Sequence, residues 1–166
     1  MANYSLPHFV DIDANNLEEY YDVDIEFNGQ EIQIDLNFES KNIDTKRLEI
    51  AKRFIDDIPE FDKRNRKYIE QDYENEDCDT VRTYIEHYLE YFDDEELSEF
   101  IDFDNKTISP EIQLMKSLRL VRMGLYPDSE ENFATFDYSI NPDTTDQLVV
   151  IFTKSTGEMN YMTMES

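Results

Sequence analysis

The sequence predicts an α+β fold: an N-terminal β-hairpin, a central helical segment and a C-terminal four-stranded antiparallel meander. Three observations carry it. Residues 20–38 alternate apolar and polar side chains around an Asn28-Gly29 pair, and residues 44–118 place their apolar side chains three and four apart. From about residue 118 the period of two returns. A period of two belongs to half-buried strands and the 3, 4 spacing to amphipathic helices, and strands segregated from helices in the chain make α+β rather than α/β.

In the hairpin, Tyr21, Val23, Ile25 and Phe27 lead into the turn, and Ile32, Ile34, Leu36 and Phe38 leave it. Asn and Gly tolerate the positive φ that both central positions of a type I′ turn require. Asp22, Asp24, Glu26, Gln33 and Asp35 fall on the other face, so one face is predicted buried and one wet.

Asp44 is predicted to cap a helix carrying Leu48, Ala51, Phe54, Ile55 and Ile58, which Pro59 ends. A polar helix over 60–74 follows, with a weak stripe of Phe61, Tyr68, Ile69 and Tyr73. Asp79 is predicted to cap the clearest helix, whose apolar positions are Val81, Tyr84, Ile85, Tyr88, Leu89 and Phe92. Asp94 is predicted to cap a short helix with Leu97, Phe100 and Ile101 inward, and Ser109-Pro110 to start another. The four later strands fall near 118–125, 132–140, 147–154 and 159–165, separated by turn-forming stretches such as Tyr126-Pro127-Asp128-Ser129. Leu148–Phe152 is apolar on both faces, the pattern of a central strand covered twice. The expected organisation is one domain over 1–166, frayed over 1–16.

The chain carries a formal charge of −25, with 40 acidic and 15 basic side chains. Such a charge raises the question of disorder, but Leu, Ile, Val and Phe make up 43 of the 166 residues, enough to build a core. The acidity argues against nucleic acid and anionic membrane as partners, because phosphate is bound by Lys and Arg. It favours a basic partner approached by electrostatic steering. Cys78 is the one cysteine, so no disulfide forms within the chain, and the first residues lack a basic stretch followed by an apolar one. No apolar run approaches the ~20 residues that cross a bilayer. The expected location is the cytoplasm.

Chemistry-bearing motifs are sparse. Gly29, Gly124 and Gly157 do not cluster, which removes phosphate-cradling loops. Of the two histidines, His87 lies on the polar side of its helix and nothing orients it towards Cys78. Asp72-Tyr73-Glu74-Asn75-Glu76 lacks the glycine and the final glutamate of a calcium loop and reads as a solvated helix end. No catalytic residue, cofactor or metal site is therefore expected.

The distinctive stretch is 83–105, which holds nine acids and no base. Glu86 and Glu90 are i, i+4 neighbours, and like charges at that spacing cost a few tenths of a kcal/mol. They also lie towards the helix C-terminus, where the dipole disfavours anions. A basic partner relieves both effects. The predicted partner-binding residues are Glu86, Glu90, Tyr91, Asp93, Asp94, Glu95 and Glu96, with Tyr91 as aromatic anchor. The alternative is a solvated acidic face with Tyr91 at the core margin.

Leu118-Arg119-Leu120-Val121-Arg122-Met123-Gly124-Leu125-Tyr126-Pro127-Asp128, then Phe136-Asp137-Tyr138-Ser139-Ile140, Leu148-Val149-Val150 and Met164-Glu165-Ser166 together resemble a bacterial family catalogued as domain of unknown function 2004. The resemblance covers roughly residues 109–166 and implies a small cytoplasmic α+β protein without an established enzyme activity. By class analogy such proteins resemble immunity proteins, which neutralise toxins passed between neighbouring bacteria. Within these motifs Gly124 is expected at a kink or bulge, and Asp137 is expected to pair with Arg119 or Arg122.

The expected function is an acidic cytoplasmic binding protein, an immunity-type inhibitor that occludes a basic toxin domain, a nuclease by charge. The rivals are a carboxylate metal-dependent hydrolase using Asp137 and Glu165, and a non-catalytic house-keeping interaction module.

Overall fold

The computed structural model describes residues 3–166. Strands β1 (Asn3–Tyr4) and β2 (Ile12–Asp13) pair with each other. Then come β3 (Tyr20–Phe27), β4 (Gln30–Asn37), α1 (Thr45–Asp56), α2 (Ile58–Glu74), α3 (Thr80–Tyr91), α4 (Asp94–Leu97), α5 (Pro110–Ser117), β5 (Arg119–Leu125), β6 (Ala134–Ser139), β7 (Leu148–Thr153) and β8 (Met159–Glu165). The α+β class and the hairpin–helices–strands order stand as expected from the periodicity.

The sheet is larger than the expected four-stranded meander. Six strands lie in sequence order from β3 to β8, and the hairpin joins the later strands through β4 and β5. That pair is parallel, with Asp35 opposite Gly124 and Leu36 opposite Leu125, whereas every other pair is antiparallel. The helical segment is the reason: it carries the chain back across one face to the end at which β4 began, and such a crossover is what parallel strands need. The run Leu148–Phe152 is the fifth strand rather than the middle one, although Val149, Val150 and Ile151 are fully buried.

The helices cover the face that carries Ile34, Leu36, Met123, Phe136 and Ile151. Phe54 of α1 stacks on Phe61 of α2 at 4.2 Å and on Phe133 at 5.4 Å, and both helical rings reach Phe136 at 6.3 Å. Burying an aromatic side chain of this size stabilises by roughly 1.5–3 kcal/mol, so this stack is a main anchor of helices to sheet. Tyr138 donates from Oη to Asp62 Oδ1 at 2.7 Å, and Ile140 N donates to Tyr84 Oη at 3.1 Å. Burial, and then the Asp62 charge, push the Tyr138 pKa well up, so the phenol stays a donor.

Several local expectations shift. Asn28 and Gly29 take φ 52° and 77°, the turn their sequence demands, and Asp44 caps α1 by accepting from Lys46 N at 3.0 Å. Pro59 does not end α1. It sits in the first turn of α2, where its missing N–H costs nothing. Asp79 flanks α3 without a side-chain bond, and Asp72 reaches from α2 to accept from Val81 N at 2.8 Å. Asp93, not Asp94, caps α4, accepting from Glu96 N at 2.9 Å. The bulge in β5 lies between Leu120 and Arg122 rather than at Gly124. Ahead of the hairpin, where fraying was expected, Leu6, Ile12, Ala14 and Leu17 are buried in the core; Met1 and Ala2 lie outside the described residues.

Candidate functional site

Strand alternation puts Asp35 of β4, Arg122 of β5 and Asp137 of β6 on the sheet face opposite the helices. Arg122 Nε donates to Asp35 Oδ2 at 2.6 Å and Nη2 to Oδ1 at 2.8 Å, a bidentate pair. Nη2 also donates to Tyr126 Oη at 3.1 Å, and Nη1 reaches Asp137 Oδ2 at 3.4 Å. Asp35 is fully buried and accepts further from Asn37 Nδ2 at 2.7 Å and Gln33 Nε2 at 3.3 Å. Gly124 makes the arrangement possible: a Cβ there would lie 2.9 Å from Arg122 Cζ and 3.1 Å from Asp35 Oδ1. The glycine expected at a bend is in fact a notch for a guanidinium.

The two carboxylates are not equivalent. Asp35 is satisfied on both oxygens. Asp137 is 7% exposed and has one long bond, to Arg122. Burial raises its pKa above the ordinary 3.8, and Asp35 and Glu165 raise it further against the opposing pull of Arg122. At Arg122 burial opposes the charge, but the bonds to Asp35 and Tyr126 outweigh it and hold the pKa up. Arg122 is thus shared unequally, with Asp35 holding the bidentate pair and Asp137 the longer, weaker contact.

Asp137, Arg122, Tyr126 and Thr135 line a pocket of about 600 Å³, whose remaining walls include Glu39, Asp128, Phe152 and Glu165. Phe152 stacks on Tyr161 at 4.3 Å across β7 and β8. Asp137 and Glu165, the pair expected for a hydrolase, thus face one pocket. The cation beside Asp137 is Arg122, and among the described residues no group of three or more His, Cys, Asp or Glu converges on a metal position.

The expected partner surface lies on the other side of the molecule. α3 packs over β7 and β8 on the helical face, with Tyr84, Ile85 and Tyr88 inward. Its outer face and α4 present Glu86, Glu90, Asp94, Glu95 and Glu96 to solvent, and none of them joins an ion pair with another described residue. Asp93 is partly committed as the cap of α4. Tyr91 is 71% exposed, not at the core margin, and its ring lies 4.6 Å from that of His87. All seven residues are exposed, on α3, on α4 and at the junction between them.

No family model, curated protein or solved structure matches the chain.

Asp137 with Arg122 was among the pairings foreseen from sequence; the stronger Asp35–Arg122 pair was not. Asp35 lies 87 positions from Arg122 and is one acid among several on its hairpin. Its one local mark is amide side chains two residues away on each side, Gln33 and Asn37, both of which bond to it.

Proposed function

We propose that the chain is an acidic binding protein of the immunity type, which neutralises a basic protein partner by covering its cationic surface. The observation that carries the reading is Tyr91, 71% exposed at the end of α3, in a stretch where Glu86, Glu90, Asp94, Glu95 and Glu96 are exposed and join no ion pair with another described residue. An exposed aromatic ring among charges is the composition of an interface centre, where the ring supplies buried area and the charges supply steering. Glu86 and Glu90 repel each other and Glu90 lies in the unfavourable last turn of α3, so the arrangement costs the free protein stability that a cationic partner returns. A nuclease toxin domain fits by charge: its phosphate-binding surface is basic, and carboxylates placed against it block substrate sterically and electrostatically.

The test is triple charge reversal, Glu86→Lys, Glu90→Lys and Asp94→Lys, with the partner that co-purifies from the native host. The expected result is loss of neutralisation and a flattened dependence of the association rate on salt. Unchanged neutralisation and unchanged salt dependence would place the interface elsewhere.

A further inference from the structure

We propose that the pocket on the open face of the sheet is a binding site for an alkylammonium or guanidinium group, with Asp137 as its counter-ion. The site is separate from the α3–α4 surface and its occupancy does not depend on the protein partner.

The argument is one of uneven satisfaction. Arg122 is bound at Nε and Nη2 by Asp35 and meets Asp137 through Nη1, so its charge is already opposed by two carboxylates. Asp137, from the adjacent strand, is more than nine-tenths buried, yet Oδ2 has only the 3.4 Å bond and Oδ1 has no hydrogen bond. Oδ1 is not sealed from solvent, so the carboxyl keeps one accessible edge for an incoming donor. It lines a pocket of about 600 Å³, within the ordinary range for small-molecule sites. The other charged walls are acidic, Glu39, Asp128 and Glu165, so the pocket repels anions and attracts cations. The aromatic rings of Phe152 and Tyr126 offer apolar and cation–π surface to the alkyl or planar part of such a group.

Binding is coupled to the charge of Asp137. The groups facing it are Asp35 on β4, Arg122 on β5, Tyr126 beyond β5 and Glu165 on β8. Since burial raises the Asp137 pKa, an amine binds more tightly as pH rises through that value and the carboxyl ionises.

The experiment is calorimetric titration of the full chain with spermidine and agmatine at about 0.15 M salt, a concentration that screens exposed acids. Phosphate and glutamate serve as anionic probes. The expected result is stoichiometric binding of at least one amine, weakened on the order of tenfold or more by Asp137→Asn and a few-fold by Glu165→Gln. Glu86→Lys/Glu90→Lys leaves it unchanged. Glu165 is exposed, so its variant keeps the fold even where Asp137→Asn does not, and unchanged affinity in the folded variants overturns the proposal. So does absence of amine binding, equal loss in Glu86→Lys/Glu90→Lys, or binding of an anion in place of an amine.

Discussion

Arg122 and Asp35 are joined by two hydrogen bonds of 2.6 and 2.8 Å, across the parallel strand pair β4–β5. The pair is a side-chain staple between the N-terminal hairpin and the C-terminal strands, placed on the face away from the helices. Because Asp35 is fully buried, breaking the pair strands a charge. Replacing Arg122 with Met is expected to cost about 3 kcal/mol, the lower end for a buried pair, since the arginine side chain is 28% exposed. Urea denaturation measures this. The double variant Asp35→Asn/Arg122→Met is expected to lose less than Arg122→Met alone.

Gly124→Ala acts on the same pair from a different direction. The new methyl group meets Arg122 Cζ and Asp35 Oδ1, so the guanidinium must shift. The expected loss is about 1–3 kcal/mol, as for other overpacked sites. It is expected to be strongly non-additive with Arg122→Met, because the long side chain that clashes is then gone. A double-mutant cycle in urea gives the coupling.

Asp137 gives the protein a pH dependence of defined sign. Its folded pKa is raised, chiefly by burial, so its protonated form favours the fold. That contribution is complete below the ordinary 3.8 and is lost as pH rises through the folded value. Relative to Asp137→Asn, the native chain is therefore expected to lose stability on going from acid to neutral pH. Paired urea midpoints between about pH 4 and pH 8 check the direction.

Tyr138→Phe removes a donor from buried Asp62, leaving it with Arg66 at 3.1 Å. The expected destabilisation is about 1–2 kcal/mol, and the loss is in a helix–sheet link rather than in packing volume.

Glu90→Lys is expected to stabilise the free protein by a few tenths of a kcal/mol at low salt. It replaces an i, i+4 repulsion with Glu86 by an attraction, and places a cation near the C-terminus of α3. The same variant is expected to weaken partner association. Higher thermal midpoint with weaker binding is the trade-off of a surface kept for function.

Much of the fold was legible because it is local. Alternation about Asn28-Gly29 and the stripe Val81–Phe92 each encode their element within a few residues, and the four later strands fall within a few positions of their expected bounds. What escaped is non-local. Nothing within β4 marks it for parallel pairing with β5, since that depends on where 45–117 delivers the chain; the clue available was the helical length itself, enough for a crossover. The caps failed where two acids competed: Asp72 serves α3 from the preceding helix, and Asp93 rather than Asp94 has the geometry at α4. The acidic stretch was legible as a run of charge, but Tyr91, at the edge of the apolar stripe, was open to two readings until the structure showed it 71% exposed. The Asp35–Arg122–Asp137 set was legible only in its second half, because its first half needs the sheet order.

The most direct test of the partner surface is amide hydrogen exchange of the chain, free and bound to its co-purified basic partner. The expected protection on binding is confined to 86–96 on α3 and α4. Protection centred on Asp22–Glu31 and the pocket around Asp137, with 86–96 unaffected, would contradict it.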